Sequence, residues 1–350
     1  MRIVVNDIAA STGGALTVLK EFYNCVAEHG REHEWIFLLG DHLLEETEHI
    51  RVKVLPQVKA SGFKKLLFDF VTGRKLIRSL QPDVVLSLQN IITFGVKVPQ
   101  LVYIHQAIPF QNTKNYSFFK KEERKLAVIQ HLIGAIIKRS ARRSDRVIVQ
   151  TRWMQKAVCH SCRLPDDKVV VATPNVKGAA CADGADFCRE QFFYPTMLQS
   201  YKNNDAIMEA SGLLKQKGLA HTVTLTLPEE HSREHVRCVG RLPYEQVQAQ
   251  YACSTLLFPS YMETFGYPLA EARKAGTVIL AADTPFAREV LDGYENGYFF
   301  DPFRPEELAA LMEQVLCGQI CRKSVTHTQT QDTDSWRQVL ELIVSHGRQL

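Results

Sequence analysis

Glu263 and Glu271 stand eight positions apart in the stretch Pro259-Ser-Tyr-Met-Glu-Thr-Phe-Gly-Tyr-Pro-Leu-Ala-Glu271, and the residues around them describe a loop running into a helix. Thr255-Leu-Leu-Phe258 reads as a strand and Pro259-Ser260 as a turn. A helix starts near Gly266, with Pro268 in the first turn, where a missing N–H is tolerated, and it stops at Gly276. Glu263 therefore falls in the loop and Glu271 on the first turns of the helix. Free backbone N–H groups from Thr264 to Tyr267, at the helix start, favour an anion such as a phosphate, and a nearby carboxylate can accept from sugar or ribose hydroxyls. The chemistry on offer is the holding of a ligand with both phosphate and hydroxyl groups. The eight-residue spacing alone also describes a solvated helix face. Lys202, Gly13-Gly14 and His105, which ends the strand Leu101-Val-Tyr-Ile104, carry no such signal by spacing. Read alone, Lys202 is one surface lysine among many. Gly13-Gly14 is neither a Walker loop nor a GxGxxG fingerprint, and a lone histidine is more often structural.

The elements that must position these residues alternate along the chain. In the first half, strand patterns fall at Arg2 to Asn6, Trp35 to Leu39, Val52 to Leu55, Asp83 to Leu88, Gln100 to His105, Arg146 to Gln150 and Lys168 to Ala172, with helices such as Ala15 to Glu28 and Lys64 to Leu80 between them. Such alternation indicates βαβ units and a parallel sheet. The pattern breaks at Thr173-Pro174-Asn175, and a stretch of small residues from Gly178 to Gly184 follows. The second half then resumes: strand Glu190 to Tyr194, helix Asn204 to Lys217, strands Thr222 to Leu227 and Val236 to Gly240, helix Tyr244 to Ala252, strand Thr255 to Phe258, helix Tyr267 to Ala275, strand Thr277 to Ala281 and helix Pro305 to Cys317. The reading is an α/β chain with domains at 1–174 and 175–330. A last segment, 331–350, carries an amphipathic helix from Trp336 to Val344. Ligands of open α/β sheets bind beyond the carboxyl ends of the strands, so two such domains would collect those ends in a central cleft.

Composition narrows the class. The chain has 350 residues, 45% of them hydrophobic, enough for two ordinary cores. No run approaches twenty apolar residues, and Arg2-Ile-Val-Val-Asn6 reads as a first strand and not as a signal peptide, so the expected location is cytoplasmic. Among nine cysteines only Cys159 and Cys162 form a close CxxC pair, without a second pair to complete a zinc site, and reduced, mostly buried thiols are expected. The net charge of +4 is unevenly spread. Basic residues interleave with aromatic and aliphatic ones from Lys114 to Arg143 and again from Lys64 to Arg78. That pattern fits an anionic lipid surface or an acidic ligand, and equally a core-facing helix with a basic outer face. No nucleic-acid motif accompanies it.

Taken together, the strand, Pro-Ser turn, Glu-Thr-Phe-Gly, Pro and second Glu resemble the signature of family 4 glycosyltransferases. Gly240-Arg-Leu-Pro-Tyr-Glu-Gln-Val-Gln-Ala-Gln-Tyr251, Ala275-Gly-Thr-Val-Ile-Leu-Ala281, Arg288-Glu-Val-Leu291 and Phe300-Asp-Pro302 extend the likeness on both sides. The resemblance implies a GT-B fold of two Rossmann-like domains facing a central cleft, with the last helix crossing back to the first domain. It implies retaining, metal-independent transfer from a UDP- or GDP-sugar to a hydroxyl of a glycan, with no cofactor. A front-face mechanism, in which the departing phosphate takes the acceptor proton, accords with the absence of an obvious general base.

Residue roles follow from the same resemblance. Glu263 would lie near the donor sugar and Glu271 at the ribose, while the backbone of Thr264, Phe265 and Gly266 would meet sugar and phosphate oxygens. Lys202 matches the lysine that contacts the donor diphosphate. Gly13 and Gly14 match a glycine-rich loop near diphosphate and acceptor, and His105 a histidine beside the donor sugar. The chain departs from the family just before Lys202, where Pro195-Thr-Met-Leu-Gln-Ser200 lacks the usual arginine. Arg241 could replace it, or one phosphate contact is lost. The acceptor is expected to be lipid-linked, as in surface polysaccharide assembly, with the basic stretches against the inner face of the membrane. The alternative is a non-catalytic partner that binds sugar nucleotide. Asp332 and Asp334 mimic a metal-binding DxD but fall in a polar linker, so no metal is expected there.

Overall fold

The computed structural model describes residues 1–11, 13–176, 187–324 and 335–348. The small-residue stretch Gly178 to Gly184, Cys181 and the Asp332/Asp334 pair lie outside the described residues. The chain divides into two compact units, one of Met1–Asn175 with Gln331–Leu350 and one of Val176–Thr330.

In the first unit seven strands form one sheet: β1 (Arg2–Asp7), β2 (Glu34–Leu39), β3 (Ile50–Val54), β4 (Val84–Ser87), β5 (Gln100–Ile104), β6 (Arg146–Val149) and β7 (Val169–Val171). The order is β3-β2-β1-β4-β5-β6-β7, and every neighbouring pair is parallel. Most of these strands are near-continuous apolar runs because helices cover both faces of the sheet. Ile3 and Val5 of β1 face a core shared with Val18, Leu19, Phe22 and Val26 of the helix Gly14–His29. The C-terminal helix Ser335–Gly347 completes that core with Trp336, Val339, Leu340 and Ile343. Trp336 stacks on Tyr103 at 5.3 Å, and its indole N–H donates to Glu21 Oε2 at 3.0 Å. Val4 faces the opposite core with Phe68 and Ile77.

The helical stretch expected from Lys64 to Leu80 spans Gly62–Leu67 and Gly73–Ser79, joined by a π turn over Phe68–Thr72. The basic stretch repeats the device, with Arg124–Ala127, a π turn over Val128–Ile133, and Gly134–Arg143. A glycine follows each π turn where a Cβ would crowd a carbonyl, 2.7 Å from Phe68 O at Gly73 and 3.1 Å from Ile129 O at Gly134. Among the described residues no helix is long and apolar enough to cross a membrane.

Six strands build the second unit: β8 (Gln191–Tyr194), β9 (Thr222–Leu225), β10 (Val236–Cys238), β11 (Thr255–Phe258), β12 (Ile279–Ala282) and β13 (Gly297–Phe300). They pair in parallel in the order β10-β9-β8-β11-β12-β13. Neither β13 nor the helix Pro285–Val290 stands out as an element in the sequence. Four and six residues are too few to display a period, and the helix start is set by Thr284, whose hydroxyl accepts from Ala287 N. The direction of strand winding reverses between β1 and β4 in the first sheet and between β8 and β11 in the second, which places a crevice at each point.

The thiols are less uniformly buried than expected. Cys25, Cys159, Cys162 and Cys238 are buried, Cys188 and Cys253 are half-buried, and Cys317 and Cys321 are exposed. Burial pushes the Cys159 thiol up to about 11, which makes it inert at neutral pH.

Candidate functional site

The loops after β8 and β11 meet at the switch point of the second sheet. After β8 the chain makes a tight turn over Ser200–Lys202, and Asn203, in the left-handed region at φ 56°, leads into the helix Asn204–Gln216. The Asn203 amide donates to Pro259 O at 3.3 Å and Pro302 O at 2.7 Å, and Tyr261 N donates to Tyr201 O at 3.1 Å. These bonds tie the backbones of the two loops together. Lys202 is buried, and its Nζ lies 2.6 Å from Glu263 Oε1. The same carboxylate oxygen accepts from Ser260 Oγ at 2.8 Å, and Ser260 is fully buried. Burial, reinforced by the Glu263 charge, pushes the Tyr201 phenol up to about 12 and Tyr194 well above its ordinary value. Both therefore remain neutral donors, and Tyr194 spends its proton on Lys202 O at 3.3 Å.

Gly266 occupies φ 90°, a region that L side chains rarely enter, and opens the helix Tyr267–Lys274. Phe265 is buried edge-on to Tyr267, with ring centroids 5.3 Å apart, so it can offer a ligand only its backbone. Thr264 is half-buried beside it. Glu271 projects from the second turn, half-buried, and Tyr251 OH donates to its Oε2 at 3.2 Å. Burial raises the Glu271 carboxyl to about 7 against the opposing pull of that hydrogen bond, so this carboxylate changes charge near neutral pH. Arg241 is exposed after β10, and among the described residues no hydrogen bond or ion pair brings it to Lys202 or Glu263.

The first unit offers a different set. Gly13 adopts φ 65° at the start of the helix Gly14–His29, and a Cβ built on either Gly13 or Gly14 meets nothing within 4 Å. His105 follows β5 directly. Its backbone N donates to Asn90 Oδ1 at 2.7 Å, and its ring packs edge-on against Tyr103 at 5.9 Å. Burial lowers the His105 imidazole to about 4, so it stands neutral at physiological pH. At the ends of β1 and β4, Asn6 Oδ1, Asp7 Oδ2 and Gln89 Oε1 are buried side-chain oxygens with no hydrogen-bond partner among the described residues. Burial lifts the Asp7 carboxyl to about 7 despite the nearby charges of Lys65 and Lys59.

Two family descriptions match consecutive parts of this sequence: Glycosyltransferase Family 4 over residues 12–176 and Glycosyl transferases group 1 over residues 190–331. The chain belongs to the group 1 glycosyltransferases of family 4. No curated protein matches the sequence. Among solved structures, the fold of this glycosyltransferase is similar to sucrose-phosphate synthase from Thermosynechococcus elongatus, with a TM-score of 0.68 at 15% identity over 99% of this chain and 96% of that one. It is also similar to WaaG, a glycosyltransferase involved in lipopolysaccharide biosynthesis (TM-score 0.66, 13% identity, 98% and 99% covered). Anabaena HepE in complex with UDP and glucose gives a TM-score of 0.61 at 16% identity, with 100% and 98% covered. These likenesses establish the GT-B α/β architecture.

Several residues of the glycosyltransferase's site carry no signal of their own in the sequence. Ser260 reads as part of a turn, yet its hydroxyl fixes Glu263. Tyr251 reads as the end of a helix, yet it is the partner of Glu271. Asn203 joins the two loops through its side chain, and Asn90, at φ 68°, holds the backbone beside His105. A search of the turn residues adjoining Lys202 and Glu263 for buried hydroxyl and amide groups would have found Ser260 and Asn203. Among the described residues no group of three or more His, Cys, Asp or Glu side chains is arranged to hold a metal ion.

Proposed function

We propose that this glycosyltransferase moves a sugar, with retention, from a nucleoside diphosphate sugar to a hydroxyl of a lipid-linked glycan, and that the charge of the leaving diphosphate is met by Lys202 and the helix-start N–H groups. The observation that carries the reading is the meeting of buried Lys202 and Glu263 at the switch point of the second sheet, where the Thr264 to Gly266 backbone also turns into its helix. Preorganised cations and N–H groups in a partly dry site are the strongest stabilisers of departing anionic charge. Glu271, beside Tyr251, is the acceptor for the ribose hydroxyls. A uridine donor is favoured by the likeness to HepE, whose structure holds UDP. The test is calorimetric binding of UDP-, GDP- and ADP-linked sugars to the wild-type protein and to Glu271→Ala, followed by product stereochemistry by NMR. One nucleotide should bind, with at least about tenfold loss in the variant, or 1.4 kcal/mol. Turnover unchanged by EDTA supports the metal-free assignment, and an inverted product overturns retention.

The lipid-linked acceptor rests on the outer surface of the first unit. Phe63, Leu67 and Val71 are exposed at successive helical turns beside exposed Lys64, Arg74, Lys75 and Arg78. Phe119, 95% exposed, stands with Phe118 and Leu132 among Lys120, Lys121, Arg124 and Lys125. The two basic stretches touch one ring: Phe70 stacks on Phe94 at 4.5 Å, and the Arg139 guanidinium lies 5.7 Å from the Phe94 centroid. Exposed aromatics among cations suit an anionic bilayer surface. Equal recovery with neutral and anionic vesicles in a low-salt flotation assay would remove this part of the proposal.

A second reading, a non-catalytic partner that binds sugar nucleotide, is favoured by one observation. Met197 and Leu198 stand half-exposed in the stretch before Lys202 where a second cation is expected. Turnover abolished by Glu263→Ala, with nucleotide binding retained, excludes it.

A further inference from the structure

Resting on the donor-site assignment above, we infer that Glu263 is a competitor for the donor diphosphate. Paired with Lys202 it neutralises the lysine, and it is released toward the sugar only when a diphosphate takes the lysine. The assigned roles conflict with the geometry as it stands. Lys202 cannot direct its full charge to a diphosphate while its Nζ sits 2.6 Å from Glu263 Oε1, and Glu263 cannot bind a sugar hydroxyl as freely with the same oxygen engaged by Lys202 and by Ser260 Oγ at 2.8 Å. The pair is no casual surface contact, since the side chains are only 11% and 18% exposed.

The surroundings make the exchange a side-chain event. The backbones of the two loops are fixed to one another by the Asn203 amide and by Tyr261 N on Tyr201 O, and Tyr194 OH on Lys202 O holds the first loop to its own strand. What remains free is rotation of the lysine stem and of the carboxylate. Ser260 has one hydroxyl proton within reach of two acceptors, Glu263 Oε1 at 2.8 Å and Tyr201 O at 3.1 Å, so it can turn to the Tyr201 carbonyl when Glu263 moves toward the sugar.

A selectivity follows. A nucleoside diphosphate that carries its sugar uses both released groups, Lys202 at the phosphates and Glu263 at the sugar hydroxyls. The bare nucleoside diphosphate left after transfer uses only Lys202 and leaves the displaced carboxylate without a new partner. Glu263 thereby weakens product binding relative to donor binding, which makes it a specificity-determining residue for the sugar-bearing nucleotide as well as a contact to the sugar.

The experiment is a double-mutant cycle read by calorimetry, with UDP and GDP and their glucose conjugates as probes, on wild type, Glu263→Gln, Lys202→Met and the double variant; circular dichroism confirms that each is folded. We expect Glu263→Gln to bind the bare diphosphate at least about fivefold more tightly while binding the sugar conjugate no better than wild type, and we expect this gain to vanish in the Lys202→Met background. A gain that persists without Lys202 would mean simple charge repulsion and overturn the exchange. Unchanged or weaker diphosphate binding by Glu263→Gln would overturn it as well. If Lys202→Met alone binds as wild type does, the failure lies in the donor-site assignment itself, and if no probe binds any of the four proteins both readings fall. Should Glu263→Gln be unfolded, Glu263→Ala takes its place with the same expectations.

Discussion

The two parallel sheets present contrasting chemistry at their carboxyl edges. In the second unit the ionisable groups are answered: Lys202 by Glu263, Glu263 also by Ser260, Glu271 by Tyr251. At the first unit's edge polar groups are left unpartnered or held neutral: one Asp7 carboxyl oxygen and the amide oxygens of Asn6 and Gln89 have no partner among the described residues, and burial keeps His105 uncharged. One fold type thus hosts two designs. The second unit pairs Lys202 with Glu263, suited to an anionic nucleotide, and the first carries the unpartnered oxygens of Asn6 and Gln89, suited to hydroxyl donors. An unpaired buried polar group costs about 1–3 kcal/mol, so the first unit gives up stability at its edge that the second retains.

Breaking the first unit's compensation is expected to give the largest effect. Trp336→Ala removes the ring that packs on Phe22 and Tyr103, and a loss of about 3–5 kcal/mol is expected in the first unit. The three tryptophans, Trp35, Trp153 and Trp336, all belong to that unit, so fluorescence-detected denaturation with the remaining two reports it selectively. Next comes Lys202→Ala, for which donor turnover should fall about 10²–10³-fold in kcat/KM, as for loss of one strong transition-state donor. A loss below tenfold would move the diphosphate contact elsewhere and erase the contrast between the edges.

Asp7→Asn sharpens the comparison through pH. Because burial raises the Asp7 carboxyl from 3.8 to about 7, the folded state holds a proton that the unfolded chain releases near pH 4. Stability is then greatest below about pH 4, falls as pH rises toward 7, and is level above it. The variant should lose that fall and be more stable by about 2–4 kcal/mol at pH 8, measured by the same denaturation; a variant as pH-sensitive as wild type would refute the assignment. The smallest effect concerns Glu271, also raised to about 7. An ionised carboxylate accepts ribose hydroxyls better than its acid form does, so nucleotide affinity should rise about three- to tenfold from pH 6 to pH 8 and become flat in Glu271→Gln.

Much of this was legible in the residues. The strand runs of both halves other than β13, the turn at Pro259-Ser260 and the helix opening after Gly266 all follow from local apolar runs and backbone preference. Glu263, Glu271 and Lys202 stood out only as a group and through a family likeness, because each alone is an ordinary polar residue. What stayed hidden depends on contacts between distant segments. The Lys202 pairing arises from loops 61 positions apart, and Asn203 is bonded to Pro302, 99 positions away, so no local pattern announces either. The π turns at Phe68–Thr72 and Val128–Ile133 were invisible for another reason: one extra residue per turn leaves the helical period nearly intact. Asp7 falls just past the strand read from Arg2 to Asn6, and only its burial turns it into a weak acid.

The helix Ser335–Gly347, which completes the first unit's core, has a consequence for the order in which the protein assembles. Emerging from the ribosome, residues 1–175 present an apolar face on β1, β4 and the helix Gly14–His29 that stays uncovered until Trp336, Val339, Leu340 and Ile343 have been synthesised. The whole of the second unit is made in between and is continuous in sequence. It can therefore close its own core first, so the half that begins synthesis earliest finishes folding last, the reverse of the usual N-to-C order.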